Sequence, residues 1–537
     1  MRLFFSSLCL LVSFFAVAQS GAIDKTYGKQ GFSVLATSKQ GLDIPSQKMV
    51  LQKDDKLVFV ADAVDSATTN NLINVSRLSA DGTIDKTFGK NGVTTLNFSG
   101  DEANSTCITV QADGKILISG LYSQGTNGDD YQVLLVRLNA NGSLDGNFGT
   151  SGILNIGNPL SLEIATSIQL VANGKILIGG IIQGTTDEFT LPMLMRLNPN
   201  GSLDYTFATN GIYKYDGALS NTPTKFLFNM AQDKVGNIFA AGESSNAQGE
   251  YKGFMIKTNI NGTLDNTFGT NGIVEIGDDN ADDAVYFSNL KVQADGKIVV
   301  LKSVELADNS LIGRLIRFQA NGKEDPTFGT AGAVTINIGT GLGVLPNDLI
   351  LQSDGKITVN VLGIDMKTAV FDNITARYDK NGKIDNTFGI QSLVKVSSDT
   401  IDYSGANMLM QSDGKVIVSV NGANFKTDQA NRTTFRLLNP GTTTTQDISI
   451  ANDLKIFPNP TQNDFILNYT LENSQNNISI DLVNLEGKTI APLLNNISRN
   501  TGVQTEHIHL SENIASGVYF LRIKNTTFMS QIKVVKI

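Results

Sequence analysis

Short apolar segments separated by turn residues dominate the chain. Segments such as Lys115-Ile-Leu-Ile-Ser119 and Val133-Leu-Leu-Val136 are apolar at successive positions, so an extended strand there covers both of its faces. Between them lie Asp-Gly and Asn-Gly pairs, whose tolerance of positive φ suits tight hairpins. Long helical patterns are scarce. The pattern predicts an all-β chain whose sheets are sandwiched between neighbouring sheets.

Three motifs recur in step. One is Asn261-Gly-Thr-Leu-Asp-Asn-Thr-Phe-Gly-Thr-Asn-Gly272, with copies at 81–92, 141–152, 200–211, 321–332 and 381–389 and a truncated copy at 21–31. Its aspartates, Asp24, Asp85, Asp145, Asp204, Asp265, Asp325 and Asp385, follow one another at separations of 59 to 61 residues. The second is a turn of the form Gln-x-Asp-Gly-Lys-Ile, as at Gln111–Ile116, present seven times with variants. The third is an apolar strand with one basic residue: Arg77, Arg137, Arg196, Lys257, Arg317, Arg377 and Arg436. So regular a period marks a repeat architecture. Each unit reads as a four-stranded antiparallel sheet: a short strand such as Gly92–Phe98, a second ending at Gln111, a third at Lys115–Gly120 and a fourth at Gln132–Leu138. Seven such sheets packed radially make a seven-bladed β-propeller.

On this reading the first motif is the crossover from the outer strand of one blade to the inner strand of the next. Its phenylalanines, Phe88, Phe148, Phe207, Phe268, Phe328 and Phe388, with Tyr27 in the first copy, are expected to wedge between blades. Its aspartates are expected to satisfy backbone donors within turns, the alternative being a ring of metal sites. The truncated copy is expected to fill the seam between the first and seventh blades. The Leu-Asp-x-x-Phe-Gly core and the period resemble the delta-60 repeat family of bacterial proteins over about residues 21–440, with Ala208, Glu324 and Tyr27 as departures. That resemblance implies a repeat protein and names no activity.

Composition fits an ordered chain: 537 residues, 41% hydrophobic and 17% charged, with 51 glycines against 11 prolines. The formal net charge of −9 works against nucleic acid or an anionic membrane surface as partners. Met1-Arg2, the apolar run Leu3–Val17 and Ala16-Val17-Ala18 read as a signal peptide over 1–18, too short for a spanning helix. Its removal leaves Cys107 as the single cysteine, so no intramolecular disulfide is expected.

The repeated turns leave one end of every blade, and the connections at the other end vary: 99–105, 277–283, 341–346 and 397–403. Variable loops on a rigid scaffold are where binding sits. Asp278, Asp279, Asp282 and Asp283 are the candidate Ca²⁺ ligands, because hard cations take clustered carboxylates; the alternative is a solvated acidic loop. No other cofactor is indicated. Enzymatic signals are poor: the two histidines, His507 and His509, lie outside the repeats, and there is no tryptophan for stacking sugars.

Residues 439–451 read as a linker, and 452–537 as a small C-terminal β-sandwich of short strands. His507 and His509 alternate with Ile508 and Leu510, which puts both imidazoles on one strand face, with a two-histidine metal site as the alternative to plain solvation. Phe457-Pro458-Asn459-Pro460, the Glu486-Gly487 turn within Asn484–Lys488, Ser516-Gly517-Val518-Tyr519-Phe520 and the final Lys533-Val-Val-Lys-Ile537 resemble the type A C-terminal sorting domain of the Bacteroidetes type IX secretion system. The resemblance implies recognition by that machinery and export across both membranes. The whole reads as a signal peptide at 1–18, a propeller at 19–438, the linker, and the sorting domain. The expected role is binding at the cell surface or outside the cell, to a glycan or a surface protein. A surface hydrolase or lyase and a ligand-free spacer are the alternatives.

Overall fold

The computed structural model describes residues 20–37, 48–64, 71–98, 101–124, 131–157, 162–183, 190–215, 224–245, 251–277, 284–306, 308–365, 367–368, 370–397, 402–424, 429–439, 451–471, 475–484, 489–524 and 529–537. They fall into two compact units. One is Thr26–Leu437; the other is Leu438–Ile537 together with the N-terminal residues up to Lys25.

The first unit consists of seven four-stranded antiparallel sheets. Blade 2 has the order Glu102–Val110, Ile116–Ser123, Gln132–Leu138, Ile153–Ile156 from centre to rim, and five other blades repeat it. The first strand of each blade packs on the first strands of both neighbours. The series closes where Asp402–Met410 of blade 7 meets Met49–Leu51 of blade 1, which makes the unit a seven-bladed propeller. The middle strands are apolar on both faces because each blade is buried on both sides: all seven residues of Ile176–Ile182 are buried, and so are six of the seven of Gln132–Leu138. Six of the innermost strands carry a β-bulge at the equivalent place, as between Ser105 and Cys107.

The phase of the repeat differs from the sequence reading. The Asn-Gly-x-Leu-Asp stretch does not cross between blades; it returns the chain to the same sheet. In blade 2 the strand after it, Ile153–Ile156, pairs with Gln132–Leu138 through Val133↔Ile156 to Val136↔Ile153. The cause lies in the basic residue of the third strand. The Arg137 amide donates to Gly152 O at 2.9 Å and its carbonyl accepts from the Asp145 amide at 2.9 Å, so the aspartate and the closing glycine of the motif are both tied to one residue. The crossover is the short connection that follows. A second difference concerns 99–105, 341–346 and 397–403, read as connections: from Glu102, Leu342 and Asp402 onward they are already the innermost strands of blades 2, 6 and 7.

This phase determines how the ring closes. Three strands of blade 7 come from Asp402–Leu437, and its rim strand is Phe32–Thr37, paired antiparallel through Phe32↔Phe435 to Thr37↔Ala430. The truncated first copy thus precedes the last strand of the last blade. Tyr27, from that copy, is fully buried and its hydroxyl lies 3.0 Å from that of Thr434.

In the second unit, Ala451–Phe457, Asp464–Leu471 and Gly502–His509 form a three-stranded sheet. Thr489–Arg499, Gln475–Val483, Gly517–Lys524 and Met529–Lys536 form a four-stranded one. Alternate residues of the two, including Phe465, Leu467, Tyr469, Ile480, Leu482 and Leu521, make a shared core. This is the sandwich that the alternating strands predict.

Candidate functional site

The repeated end of the propeller is built from one ionic and aromatic cluster per seam. In blade 1, Arg77 Nε donates to Asp85 Oδ2 at 2.9 Å, and one terminal nitrogen donates to Ala140 O of blade 2 at 2.6 Å. The other donates to the Thr87 hydroxyl at 3.2 Å. The guanidinium carbon stands 4.7 Å from the centre of the Phe88 ring. The turn's own Thr87 hydroxyl and amide donate to the other oxygen of Asp85 at 2.6 and 3.0 Å. Arg137, Arg196 and Arg317 repeat the pairing with Asp145, Asp204 and Asp325 and the reach to the next blade, at Pro199, Ile260 and Lys380. Arg377 pairs with Asp385 and covers Phe388. Arg436 reaches Ala80 O at 2.7 Å across the closing seam and covers the Tyr27 ring. The Lys of the Gln-x-Asp-Gly-Lys turn adds a second cation to the same aspartates: Lys56, Lys115, Lys175, Lys297 and Lys356 sit within 3.3 Å of their carboxylates.

The position of any metal in that ring is therefore taken by guanidinium and ammonium groups. Burial alone would push the Asp85 carboxyl up, but the bonds from Thr87 and the Arg77 charge outweigh it and hold it down at about 2. The Lys257 ammonium and the Thr267 hydroxyl hold Asp265 at about 2. The Asn-Gly pair of each copy has a packing cause as well. Gly142, at φ +90°, lies so close to Phe88 and Gly89 of the preceding blade that a Cβ would come within 2.9 Å of the ring. Phe88, Phe148, Phe207, Phe268 and Phe328 are fully buried, and Phe388 nearly so.

Blade 4 departs from the others at two positions. Lys257 replaces the arginine and pairs with Asp265 at 2.8 Å, and Asn237 stands where the turn lysine would be. Asp265 is correspondingly more open, at 27% side-chain exposure against 3–9% for Asp85, Asp145, Asp204, Asp325 and Asp385.

Other seam contacts rest on carboxylates that the sequence did not single out. Asp62 of blade 1 accepts from the Ser105 amide and hydroxyl of blade 2 at 2.7 and 2.8 Å and pairs with Lys48 at 3.0 Å. Asp348 of blade 6 is buried, accepts from Asn289 of blade 5 at 2.8 Å and from the Met408 amide of blade 7 at 2.7 Å, and burial pushes its carboxyl up. Glu243 of blade 4 accepts from the Phe287 amide of blade 5 at 2.7 Å, and burial lifts it to about 7.

The opposite end, where second strands lead to third strands and rim strands to the next blade, carries half-buried tyrosines on carboxylates. Tyr122 donates to Asp101 at 2.6 Å and Tyr131 to Glu102 at 2.9 Å in blade 2. At the seam of blades 4 and 5, Tyr286 donates to Glu305 at 3.1 Å, with the Tyr251 ring centre 5.4 Å from its own. Burial and the charge of Glu305 push the Tyr286 hydroxyl up to about 12, with Tyr251 and Glu243 contributing in the same direction. Asp278, Asp279, Asp282 and Asp283 lie outside the described residues. Among the described residues no group of three or more His, Cys, Asp or Glu is placed to hold a metal ion.

In the sandwich, Pro458-Asn459-Pro460 is tied to the last strand. The Asn459 side chain donates to Lys533 O and accepts from the Val535 amide, both at 2.8 Å, and Thr461 exchanges backbone bonds with Val535 and Ile537. Lys536 is buried and donates to Ser511 O and Ile514 O. Tyr519 donates to Ala515 O at 2.9 Å, and Gly517 pairs with Lys536 in the sheet. Gly487 lies outside the described residues.

Comparisons with known proteins agree with both units. Residues 455–537 match the secretion system C-terminal sorting domain family. Residues 52–88, 111–148, 172–207 and 236–268 match the domain of unknown function (DUF5122) β-propeller. Each of these four stretches runs from a hairpin turn to the phenylalanine of the cluster. No curated protein matches the chain. Among solved structures, a PL25 ulvan lyase aligns at 9% identity and TM-score 0.42 over 74% of this chain and 95% of its own. The β-propeller domain of the trilobed protease from Pyrococcus furiosus aligns at 10% and 0.39 over 72% and 92%. A protein of unknown function from Dyadobacter fermentans aligns at 11% and 0.37 over 79% and 99%. Likeness at that level carries nothing about chemistry. The sorting domain marks the chain for type IX export to the cell surface or the extracellular space. Among the described residues no helix is long and apolar enough to cross a membrane.

Proposed function

We propose that the exported chain is a binding protein whose ligand face is the end of the propeller opposite the repeated clusters. The observation that carries this is the asymmetry of the ring. One end repeats a single self-satisfied cluster, whereas the other presents tyrosine–carboxylate groups that differ from blade to blade. Half-buried phenol rings beside carboxylate acceptors suit a polyhydroxylated ligand, with apolar ring faces to stack and oxygens to take hydroxyl protons. A glycan is therefore the first ligand class and a surface protein the second. Asp278, Asp279, Asp282 and Asp283 are proposed as a Ca²⁺ site on the same face. Binding of the secreted protein to a glycan array and to cell-surface extracts, with and without calcium, tests the reading. Saturable binding lost in Tyr251→Ala or Tyr122→Ala supports it; silence from a well-folded sample favours the spacer reading.

One observation favours a catalytic reading in second place. Glu243, held at about 7 beside the Tyr251–Tyr286 pair, has the poise of a general acid or base. Turnover of a polysaccharide that disappears in Glu243→Gln would put this reading first, and binding without turnover would remove it.

A further inference from the structure

We propose that His507 and His509 form a surface chelate for one borderline divalent transition-metal ion such as Zn²⁺ or Cu²⁺. The two are the only histidines of the chain. They lie two residues apart on the strand Gly502–His509, both exposed, while Glu506 and Ile508 between and before them are buried, so both imidazoles leave the same face. Two residues of strand put their Cα atoms roughly 6.6 Å apart, a span two imidazoles close when each reaches an ion at about 2.1 Å. Both line one open groove of about 310 Å³, walled by Phe457, Pro458 and Ile466.

The third residue of the arrangement is Asp464, directly across the sheet from His509. The His509 Nδ1 hydrogen donates to Asp464 Oδ1 at 2.7 Å. With its proton on Nδ1, the ring presents Nε2 as a free lone pair, and its orientation is set by a carboxylate, as in metal-bound histidines generally. His507 has no bonded partner among the described residues and faces Ile466 in the register, so it is free to turn toward the same ion. Phe457, Ile466 and His507 form one row across the three strands, which places an apolar wall beside the chelate. Among the described residues no third protein ligand completes the site, so water fills the remaining positions. Imidazole donors select Zn²⁺, Cu²⁺ or Ni²⁺ over Ca²⁺ and Mg²⁺.

The test is calorimetric titration of the full-length protein with zinc chloride and copper chloride in a non-chelating buffer, with calcium chloride as control, together with electron paramagnetic resonance of the copper-loaded sample. One equivalent of each transition metal should bind, with two nitrogen donors in the copper spectrum, and excess calcium should not displace it. His507→Ala and His509→Ala should each abolish binding, and Asp464→Asn should weaken it about tenfold while leaving both nitrogens in the spectrum. Circular dichroism identifies any variant that has lost its fold. The proposal is overturned if zinc gives no heat, or if binding survives in the folded double variant His507→Ala/His509→Ala.

Discussion

Arg137 and Asp145 stand eight residues apart and meet at 2.8 Å, and the same arginine reaches Pro199 O in the following blade. One side chain therefore holds a turn closed and joins two blades. Its guanidinium carbon lies 4.3 Å from the centre of the Phe148 ring, and both charged side chains are buried.

Breaking this pair in one direction only should be costly. Arg137→Ala leaves Asp145 buried with one fewer cation and Pro199 O without its donor, and should cost roughly 3–5 kcal/mol. Urea unfolding of the variant measures it. A loss below 1 kcal/mol would show that Lys115 alone suffices.

Blade 4 permits the reverse experiment. Lys257→Arg supplies the planar donor that the other blades use, within reach of Ala320, the residue equivalent to Ala140 and Pro199. A gain of about 1 kcal/mol is expected, read as a rise in Tm, and an unchanged or lower Tm would mean that the blade has repacked around lysine.

Glu243 makes the propeller's stability depend on pH in a defined direction. Its carboxyl titrates at about 7 in the folded chain against an ordinary value of 4.5. Between those values the folded state keeps a proton that the unfolded state has lost, so stability falls as the pH rises through the window. Below it both states are protonated and the effect vanishes. Glu243→Gln should flatten the dependence between pH 5 and 7. Parallel stability curves for the two proteins would contradict it.

Asn459 connects the signature turn of the sorting domain to the last strand. Asn459→Ala removes both bonds to Lys533 and Val535 and should cost roughly 1–3 kcal/mol locally. Full-length protein should then accumulate in the periplasm, measured by fractionation and immunoblotting. Normal secretion of this variant would separate the fold of the domain from its recognition.

Much of the fold is local and so could be read in advance. The alternation of apolar strands with Asp-Gly turns requires nothing beyond neighbouring residues, and the 59-to-61-residue spacing of the aspartates states the number of blades directly. The eight-residue spacing from Arg77 to Asp85 was equally visible but was not read as an ion pair, because only the folded turn makes the two side chains converge. The phase of the repeat was not legible. A period is the same wherever the unit is cut, so Gly92–Phe98 reads equally well as the start of one sheet or the end of another. The backbone bonds of the strand arginine decide between them.

The sequence by itself determined the all-β class, seven repeats and a C-terminal sorting domain, because these are carried by patterns within tens of residues. Tertiary structure decided the rest. Tyr27 and Thr434 share a hydrogen bond across 407 residues, and Phe32–Thr37 completes the last blade only because the ring brings the chain's beginning back to it. Asp62, Glu243 and Asp348 likewise take partners from neighbouring blades, and Asp464 meets His509 across a sheet. Such contacts are fixed by packing between distant segments, for which a linear pattern holds no term.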